Sequence, residues 1–202
     1  NTPYNFFTTL SFPNVESVRY FKNDTQAIQI IKKPAFKADF IDGRNSNVVV
    51  IILESFSREY MGLGNNWKGY TPFLDSLAKK SVFFDKHFAN GRRSIDAVPA
   101  IFASIPSLTD EPFTLGVYQT NEVRGLASIV SKNGYHTAFF HGGENGTMGF
   151  DKFTKNLGFK EYYGIDEYPN RTEDFDGNWG IYDEAYLQYF NQKLSTFKEP
   201  FL

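Results

Sequence analysis

The feature that most constrains the fold is a run of six apolar residues, Val48–Leu53, five of them β-branched. A continuous run of this kind is typical of a strand that is buried on both faces of a parallel sheet. The run stops at Glu54–Ser55, so a carboxylate follows directly after a strand that is predicted to be buried. Ordered structure is therefore predicted from Asn47 onward. Residues 1–46 lack clear periodicity, and we interpret them as an irregular lead-in with a short helix around Thr25–Lys32.

Helices and strands are predicted to alternate along the rest of the chain. A helix is predicted to begin at Thr71–Pro72, because a capping residue followed by proline marks a helix start. Two more helices are predicted, over Val123–Asn133 and from Tyr182 to Phe190, and two more strands, over Ser81–Ala89 and His136–Phe140. Residues 199–202 resemble the start of another strand, which we interpret as a sign that the chain is a fragment. This alternation predicts an α/β fold with a mostly parallel sheet covered by helices on both faces.

The composition excludes several classes of function. The net charge of −2 and the lack of a long Lys/Arg run argue against a nucleic-acid partner. The absence of cysteine excludes disulfides, thiolate metal sites and a cysteine nucleophile. No stretch approaches the roughly 20 apolar residues that a membrane-spanning helix needs, so any anchor is expected to lie outside these 202 residues. The length suffices for one α/β domain or for part of a larger one.

Polar residues follow the predicted strands at three places: Glu54, the segment Gly91–Asp96, and His141. In open α/β sheets, functional groups collect at the carboxyl ends of the strands. A carboxylate at the position of Glu54 requires a cation, a helix N-terminus or a metal as its partner. Its hard oxygen atoms suit Mg²⁺, Mn²⁺ or Zn²⁺. From the residues alone, a capping or salt-bridge role for Glu54 stays open beside the metal role.

Ser94 follows two arginines, Arg92 and Arg93, and precedes an apolar periodic stretch. In one interpretation, Ser94 or Asp96 is simply the N-cap of the helix that this stretch predicts. In the other, the Ser94 hydroxyl is a nucleophile at a helix N-terminus, where the helix dipole and two guanidinium groups attract a phosphate or sulfate. His141 begins a glycine-rich turn that lacks the Lys of a phosphate-binding P-loop. With three histidines in the whole chain, a histidine-cluster metal site cannot be assembled.

Taken in order, these segments resemble the lipoteichoic acid synthase group of the alkaline phosphatase and sulfatase superfamily. The matching motifs are Asn47–Ser55, Thr71–Asp75, Phe84–Asp85, Asn90–Ala97, Phe140–His141, Asp151–Lys152 with Leu157–Phe159, and Trp179–Ile181. The resemblance implies a three-layer α/β sandwich with a mostly parallel sheet, incomplete at its C-terminus. It also implies that residues 47–202 are the N-terminal part of a sulfatase-like catalytic domain. Residues 1–46 would be a linker that follows a membrane anchor outside this sequence.

The resemblance also implies a mechanism. A divalent metal, Mn²⁺ foremost and Mg²⁺ or Zn²⁺ as alternatives, would be held by Glu54 and the Ser94 oxygen. Ser94 would attack a phosphodiester and form a covalent phospho-enzyme. Arg92 or Arg93 would hold the phosphoryl oxygens, and His141 would bind substrate. Because two residues are too few for a metal site, we expect this fragment alone to bind metal poorly and to be inactive.

The sequence departs from the group's pattern in two respects. Members of the group usually use Thr as the nucleophile, where this chain has Ser94. The group holds glycerol phosphate with an Asp, a Trp and an Arg after the position of His141, and the aligned residues here are Gly143, Met148 and Phe150. The identity of the substrate is therefore open.

The function expected from the resemblance is transfer of phosphoglycerol or phosphoethanolamine from a phospholipid donor to a glycan or lipid acceptor of a bacterial cell envelope. The catalytic domain would lie outside the cytoplasmic membrane. A phosphodiesterase that uses water is an alternative, and so is a catalytically dead domain that binds an envelope glycan or a protein. A type I sulfatase is disfavoured, because Ser94–Ala97 lacks the Pro and Arg needed for formylglycine formation.

Overall fold

The computed structural model describes residues 18–31 and 46–202. Its α-helices, in chain order, are α1 (Asp24–Ile31), α2 (Pro72–Ala78), α3 (Ser94–Ala103), α4 (Leu126–Ser131), α5 (Phe150–Asn156), α6 (Arg171–Asp174) and α7 (Asp183–Leu194). The strands are β1 (Ala138–Phe140) and β2 (Glu161–Tyr163), and short 3₁₀ helices cover Arg58–Tyr60 and Thr147–Gly149. In the described part of the chain, no helix is both long and apolar enough to span a membrane.

The sheet is parallel. β1 and β2 lie side by side with Ala138 opposite Glu161 and Phe140 opposite Tyr163. On the other side of β1, Phe201 forms a parallel bridge with His136, so the end of the chain adds to the sheet as the sequence predicted. β2 was not among the predicted strands, because three residues are too short for a period-2 pattern to show.

Helices cover both faces of this sheet. One hydrophobic cluster lies between α3, α4 and α5, and the partly buried Phe139 packs against it. A second cluster includes residues of α7, and Phe140 packs against that one. Neighbouring residues of a strand point to opposite faces, so adjacent positions of β1 serve the two clusters. The α/β class and its helix–sheet–helix layering are confirmed.

Two predicted strands do not form. Val48–Leu53 is an extended segment rather than a strand, and its side chains are 38–59% exposed rather than buried. Within the described residues, only Val48 of this run makes a backbone hydrogen bond, to the carbonyl of Phe201. Ser81–Ala89 is also not a strand, and Phe84 and Phe88 are 75% and 86% exposed. An apolar, β-branched composition shows that a segment is able to form a strand. The strand forms only where a neighbouring segment pairs with its backbone N–H and C=O groups.

The predicted helices are present with adjusted ends. α2 begins at Pro72 as predicted, and α1 and α7 match the expected helices closely. The helix predicted over Val123–Asn133 is shorter, because Gly125 is its N-cap and the regular part ends at Ser131. Gly134, predicted to end it, has a φ of +86°, a left-handed conformation that glycine adopts without strain.

Candidate active site

Glu54, Ser94 and His141 line one cleft, which lies between the segment 48–54 and β1 and has a volume of about 190 Å³. These three residues come from separate parts of the chain: Glu54 follows the extended segment Val48–Leu53, Ser94 begins α3, and His141 follows β1. The remaining lining is almost entirely apolar and includes Val50, Ile52, Val98, Phe102, Phe139, Phe190 and Phe197. The structure therefore brings together the predicted nucleophile, the predicted metal ligand and the predicted substrate-binding histidine in a largely apolar cleft.

Ser94 is the first residue of α3, and it is not the helix cap. The N-cap position belongs to Arg93, whose backbone is extended and whose side chain makes no capping hydrogen bond. The interpretations of Ser94 or Asp96 as the cap are thus wrong. Ile95, Val98 and Phe102 anchor the helix in the core at 3–6% exposure. Ser94 makes no side-chain hydrogen bond to another described residue, so its hydroxyl can act on a ligand in the cleft.

The two arginines before Ser94 have different environments. Arg93 donates to the Asp110 carbonyl at 2.8 Å, and its Nε lies 3.4 Å from the carboxylate of the buried Asp96. Gly91 is required here, because a Cβ at this position would lie 2.3 Å from the Asp96 Cβ. Arg92 is exposed and has no ion pair with a described residue. Arg93 therefore holds the loop in place, whereas Arg92 is available to an anion.

Neither arginine lines the cleft that holds Ser94. Arg92 and Arg93 line a neighbouring open cleft formed with residues 107–113 and 116–118. The structure thus joins Glu54, Ser94 and His141 but leaves both guanidinium groups on the adjacent surface.

His141 directly follows β1 and is partly buried. Its backbone N–H donates to the carbonyl of Tyr163, and its ring lies edge-on to Phe150 with 5.2 Å between the ring centroids. Burial lowers the pKa of His141, and the Glu54 carboxylate opposes this effect only in part. The ring is therefore neutral at neutral pH. Its buried Nδ1 has no hydrogen-bond partner among the described residues.

The turn after His141 is held by contacts that the sequence did not reveal. Gly142 lies over the ring of Tyr186, where an added Cβ would be 3.2 Å from Cγ. The N–H of Ile181 donates to the Gly142 carbonyl, and Gly143 forms a bridge with Gly180. The periodicity of α7 placed Tyr186 on its apolar face but gave no sign that this face supports the turn. Tyr186 thus positions the loop that carries His141.

The described residues do not complete a metal site. Glu54 and Ser94 offer two oxygen donors, and the part of the chain that the structure describes contains no group of three or more His, Asp or Glu residues arranged to hold an ion. Zn²⁺ takes about four ligands and Mg²⁺ about six, so the donor set is short by at least two. The residues aligned with the group's glycerol-phosphate ligands are not suited to bind that group either. Phe150 is 4% exposed in the core, and Met148 presents no polar atom but a thioether.

Comparison with known proteins identifies the family of this chain. Residues 46–202 match the family model for sulfatases. The chain belongs to the sulfatase family. Among curated relatives, it is 25% identical over 194 residues to the lipoteichoic acid synthase-like YvgJ of Bacillus subtilis (strain 168), covering 95% of this chain and 30% of that protein. It is 28% identical over 169 residues to lipoteichoic acid synthase 1 of the same organism, covering 80% of this chain and 26% of that protein.

Solved structures show the same fold. The lipoteichoic acid synthase LtaP from Listeria monocytogenes superimposes with a TM-score of 0.67 and 22% identity, over 78% of this chain and 39% of that one. A protein in the alkaline phosphatase superfamily from Vibrio parahaemolyticus superimposes with a TM-score of 0.57 and 26% identity, over 63% of this chain and 32% of that one. The fold expected from the resemblance is therefore confirmed, and the chain spans less than a third of the length of these curated relatives.

Proposed function

We propose that this chain is the nucleophile-bearing part of a sulfatase-family phosphotransferase in which Ser94 becomes transiently phosphorylated. The observation that carries the proposal is that Glu54, Ser94 and His141 line one cleft. Ser94 lies at the N-terminus of the 10-residue helix α3, where free backbone N–H groups and the helix dipole favour negative charge. A phosphoryl group bound there would be held against the serine hydroxyl.

The proposed reaction has two balanced steps. In the first, Ser94 Oγ forms a bond to the phosphorus of a phosphodiester, and the bond from phosphorus to the leaving alcohol breaks while that alcohol takes up the proton lost by Ser94. In the second, the oxygen of an acceptor alcohol forms a bond to the same phosphorus, the bond from phosphorus to Ser94 Oγ breaks, and Ser94 Oγ takes up the proton that the acceptor loses. His141, neutral and with an unpartnered Nδ1, would donate or accept one hydrogen bond to the substrate.

We further propose that Glu54 and Ser94 contribute two oxygen ligands to a divalent cation, Mn²⁺ foremost and Mg²⁺ or Zn²⁺ as alternatives. Such an ion, when bound, stabilises the alkoxide and the charge on the phosphoryl oxygens. Its other ligands would have to come from outside the described residues. Metal dependence is thus expected of the complete catalytic domain, and weak metal binding of these 202 residues alone.

The names of the relatives guide the choice of substrates. Two of them are lipoteichoic acid synthases or resemble them, so we propose a phospholipid as the donor of phosphoglycerol or phosphoethanolamine and an envelope glycan or lipid as the acceptor. The corresponding location is the outer side of a bacterial cytoplasmic membrane. Residues 47–202 would be the N-terminal part of the catalytic domain, and residues 1–46 would be the linker to an anchor.

The test uses the complete catalytic domain, extending past Leu202, incubated with Mn²⁺ and phosphatidylglycerol or phosphatidylethanolamine. Intact-mass spectrometry should detect an adduct whose mass identifies the transferred head group. Ser94→Ala should abolish the adduct, and chelation of the metal should do the same. Ser76→Ala, which changes an exposed serine of α2, is the matched control and should leave the adduct unchanged.

Two outcomes would redirect the proposal. Release of free head-group phosphate in the absence of any acceptor alcohol would identify a phosphodiesterase of the same superfamily. If neither donor gives an adduct, and Ser94→Ala behaves as the unaltered protein does, the assignment of Ser94 as nucleophile is wrong and a binding domain without catalytic activity becomes the better account.

A further inference from the structure

The turn that follows His141 is tied to the loop that follows β2. The N–H of Ile165, in that loop, donates to the carbonyl of Gly143 at 3.1 Å. Ile165 is 1% exposed and belongs to the second hydrophobic cluster, so packing in the core fixes the position of its backbone. The core therefore restrains Gly143 through one backbone hydrogen bond.

Gly143 in turn lies against the edge of the His141 ring. A Cβ added at Gly143 would be 2.8 Å from Cε1 of His141 and 3.3 Å from its Nδ1. These are neighbouring atoms of the ring, and Nδ1 is the buried nitrogen without a hydrogen-bond partner among the described residues. Because backbone and ring are in close contact, a movement of the turn must change either the orientation of the ring or the space beside Nδ1.

A pair of side chains joins the same two loops. Nδ2 of Asn145 donates to the carboxylate of Glu167, with distances of 3.2 and 3.1 Å to its two oxygens. The same carboxylate accepts from the N–H of Gly164 at 2.7 Å, and Oδ1 of Asn145 accepts from the N–H of Asp166 at 3.4 Å. Hydrogen bonds to an ionised carboxylate are stronger than those between neutral groups. We term Asn145 and Glu167 the turn clamp.

The turn clamp requires an amide on one side and a carboxylate on the other. Asn145 uses both ends of its amide, one as a donor and the other as an acceptor. An aspartate at this position would have nearly the same shape, but it could not donate, and its charge would face the Glu167 carboxylate. The two loops also meet closely, because a Cβ added at Gly164 would overlap Oδ1 of Asn145.

Arg171 spans the two loops as well, but we expect it to contribute less. Its guanidinium lies 3.6 Å from the Glu144 carboxylate and 3.2 Å from that of Asp166. All three side chains are more than half exposed, and ion pairs of this kind add little stability. The turn clamp differs because its carboxylate also binds a partly buried backbone N–H, that of Gly164.

We propose that Asn145 and Glu167 are positioning residues for the His141 ring. The turn clamp and Ile165 hold the turn, and Gly143 of that turn restrains the ring edge that carries Nδ1. Neither clamp residue lines the cleft that His141 shares with Glu54 and Ser94, so the pair acts on the cleft through the turn. The effect on the reaction rests on the function proposed above, whereas the effect on the ring does not.

The test uses the complete catalytic domain with ¹³C-labelled histidine, and NMR follows the ring resonances. Asn145→Asp breaks the turn clamp. Combining it with Glu167→Gln restores the pair in reverse, because the glutamine amide then donates to the new carboxylate. Asn170→Asp is the matched control, since it makes the same change at an exposed asparagine whose side chain makes no capping hydrogen bond. The His141 resonance is identified by its loss in His141→Gln.

Asn145→Asp should move the His141 resonance and leave those of His87 and His136 in place. The double variant should return the resonance to its original position, and Asn170→Asp should not move it. The rate of phospho-adduct formation should follow, falling by at least about 10-fold in Asn145→Asp and recovering to within about threefold in the double variant. If Asn145→Asp does not fold, Glu167→Gln alone replaces it, since it sets one amide NH₂ group against another without adding charge.

Three outcomes would count against part or all of this reasoning. An unmoved His141 resonance in the clamp variant would overturn the inference, and so would a double variant that stays as displaced as the single one. A resonance that moves and is restored while the adduct forms at an unchanged rate would overturn the effect on the reaction. If the resonance moves and is restored but the unaltered protein forms no adduct, the function proposed for Ser94 fails and the positioning of His141 stands.

Discussion

The substitution Tyr186→Phe tests whether α7 holds the turn that carries His141. Tyr186 is 8% exposed, and its hydroxyl donates to the carbonyl of Tyr163. Burial raises the pKa of Tyr186, so the hydroxyl stays a donor throughout the usable pH range. The carbonyl of Tyr163 also accepts from the N–H of His141, so this one oxygen links α7, β2 and the start of the turn.

The expected loss of stability follows from the contacts that Tyr186→Phe leaves intact. Phenylalanine keeps the ring beneath Gly142, so no cavity forms, and the Tyr163 carbonyl keeps the His141 N–H as a donor and is not orphaned. The expected loss is therefore that of one hydrogen bond, about 1 kcal/mol in the free energy of unfolding. For a chain of this length, that corresponds to a fall in Tm of about 2–4 °C.

Urea denaturation followed by tyrosine and tryptophan fluorescence measures this loss. Tyr182→Phe is the matched control, because it removes a hydroxyl from a 58% exposed tyrosine at the N-terminus of the same helix and should change stability by less than about 0.5 kcal/mol. If the two variants unfold at the same urea concentration, the Tyr186 hydroxyl does not stabilise the turn and the reasoning fails.

Two further predictions use the core and the titration of the site. Leu157→Ala removes a side chain that is 0% exposed and lies close to Gly125. We expect the free energy of unfolding, measured by urea denaturation, to fall by about 2–5 kcal/mol. A fall below about 1 kcal/mol would show that this site is not tightly packed. His141 has a lowered pKa in the folded chain, so the unfolded chain binds its proton first as the pH falls, and stability should decrease below the unfolded pKa of about 6.5. His141→Gln should reduce that decrease between pH 7.5 and pH 5.5 in urea melts, and an unchanged pH dependence would contradict the assignment.

The two arginines before Ser94 have roles that the sequence could not distinguish. Arg92 and Arg93 are adjacent and chemically identical, so the sequence could only name both as phosphate contacts. The structure shows that Arg93 is held by Asp96 and the Asp110 carbonyl, whereas Arg92 has no ion pair with a described residue. Asp110 is 17 residues away in the chain, and no local pattern identifies such a partner.

The sequence alone determined features whose causes are local. Pro72 after Thr71 sets a helix start through its fixed φ, Gly134 ends another through its tolerance of positive φ, and the spacing of apolar residues in α7 follows from 3.6 residues per turn. The order of the motifs was enough to predict the family and the α/β fold. These features depend on residues within one or two turns of each other.

Tertiary structure decided everything that requires a partner from elsewhere in the chain. Val48–Leu53 has the composition of a buried strand, yet within the described residues it pairs only at Val48, because pairing depends on which segment lies beside it. The same holds for the cleft, where Glu54, Ser94 and His141 line one space although they come from distant parts of the chain. Local propensity is a property of a few neighbouring residues, whereas hydrogen-bond pairing and burial are properties of the assembled fold.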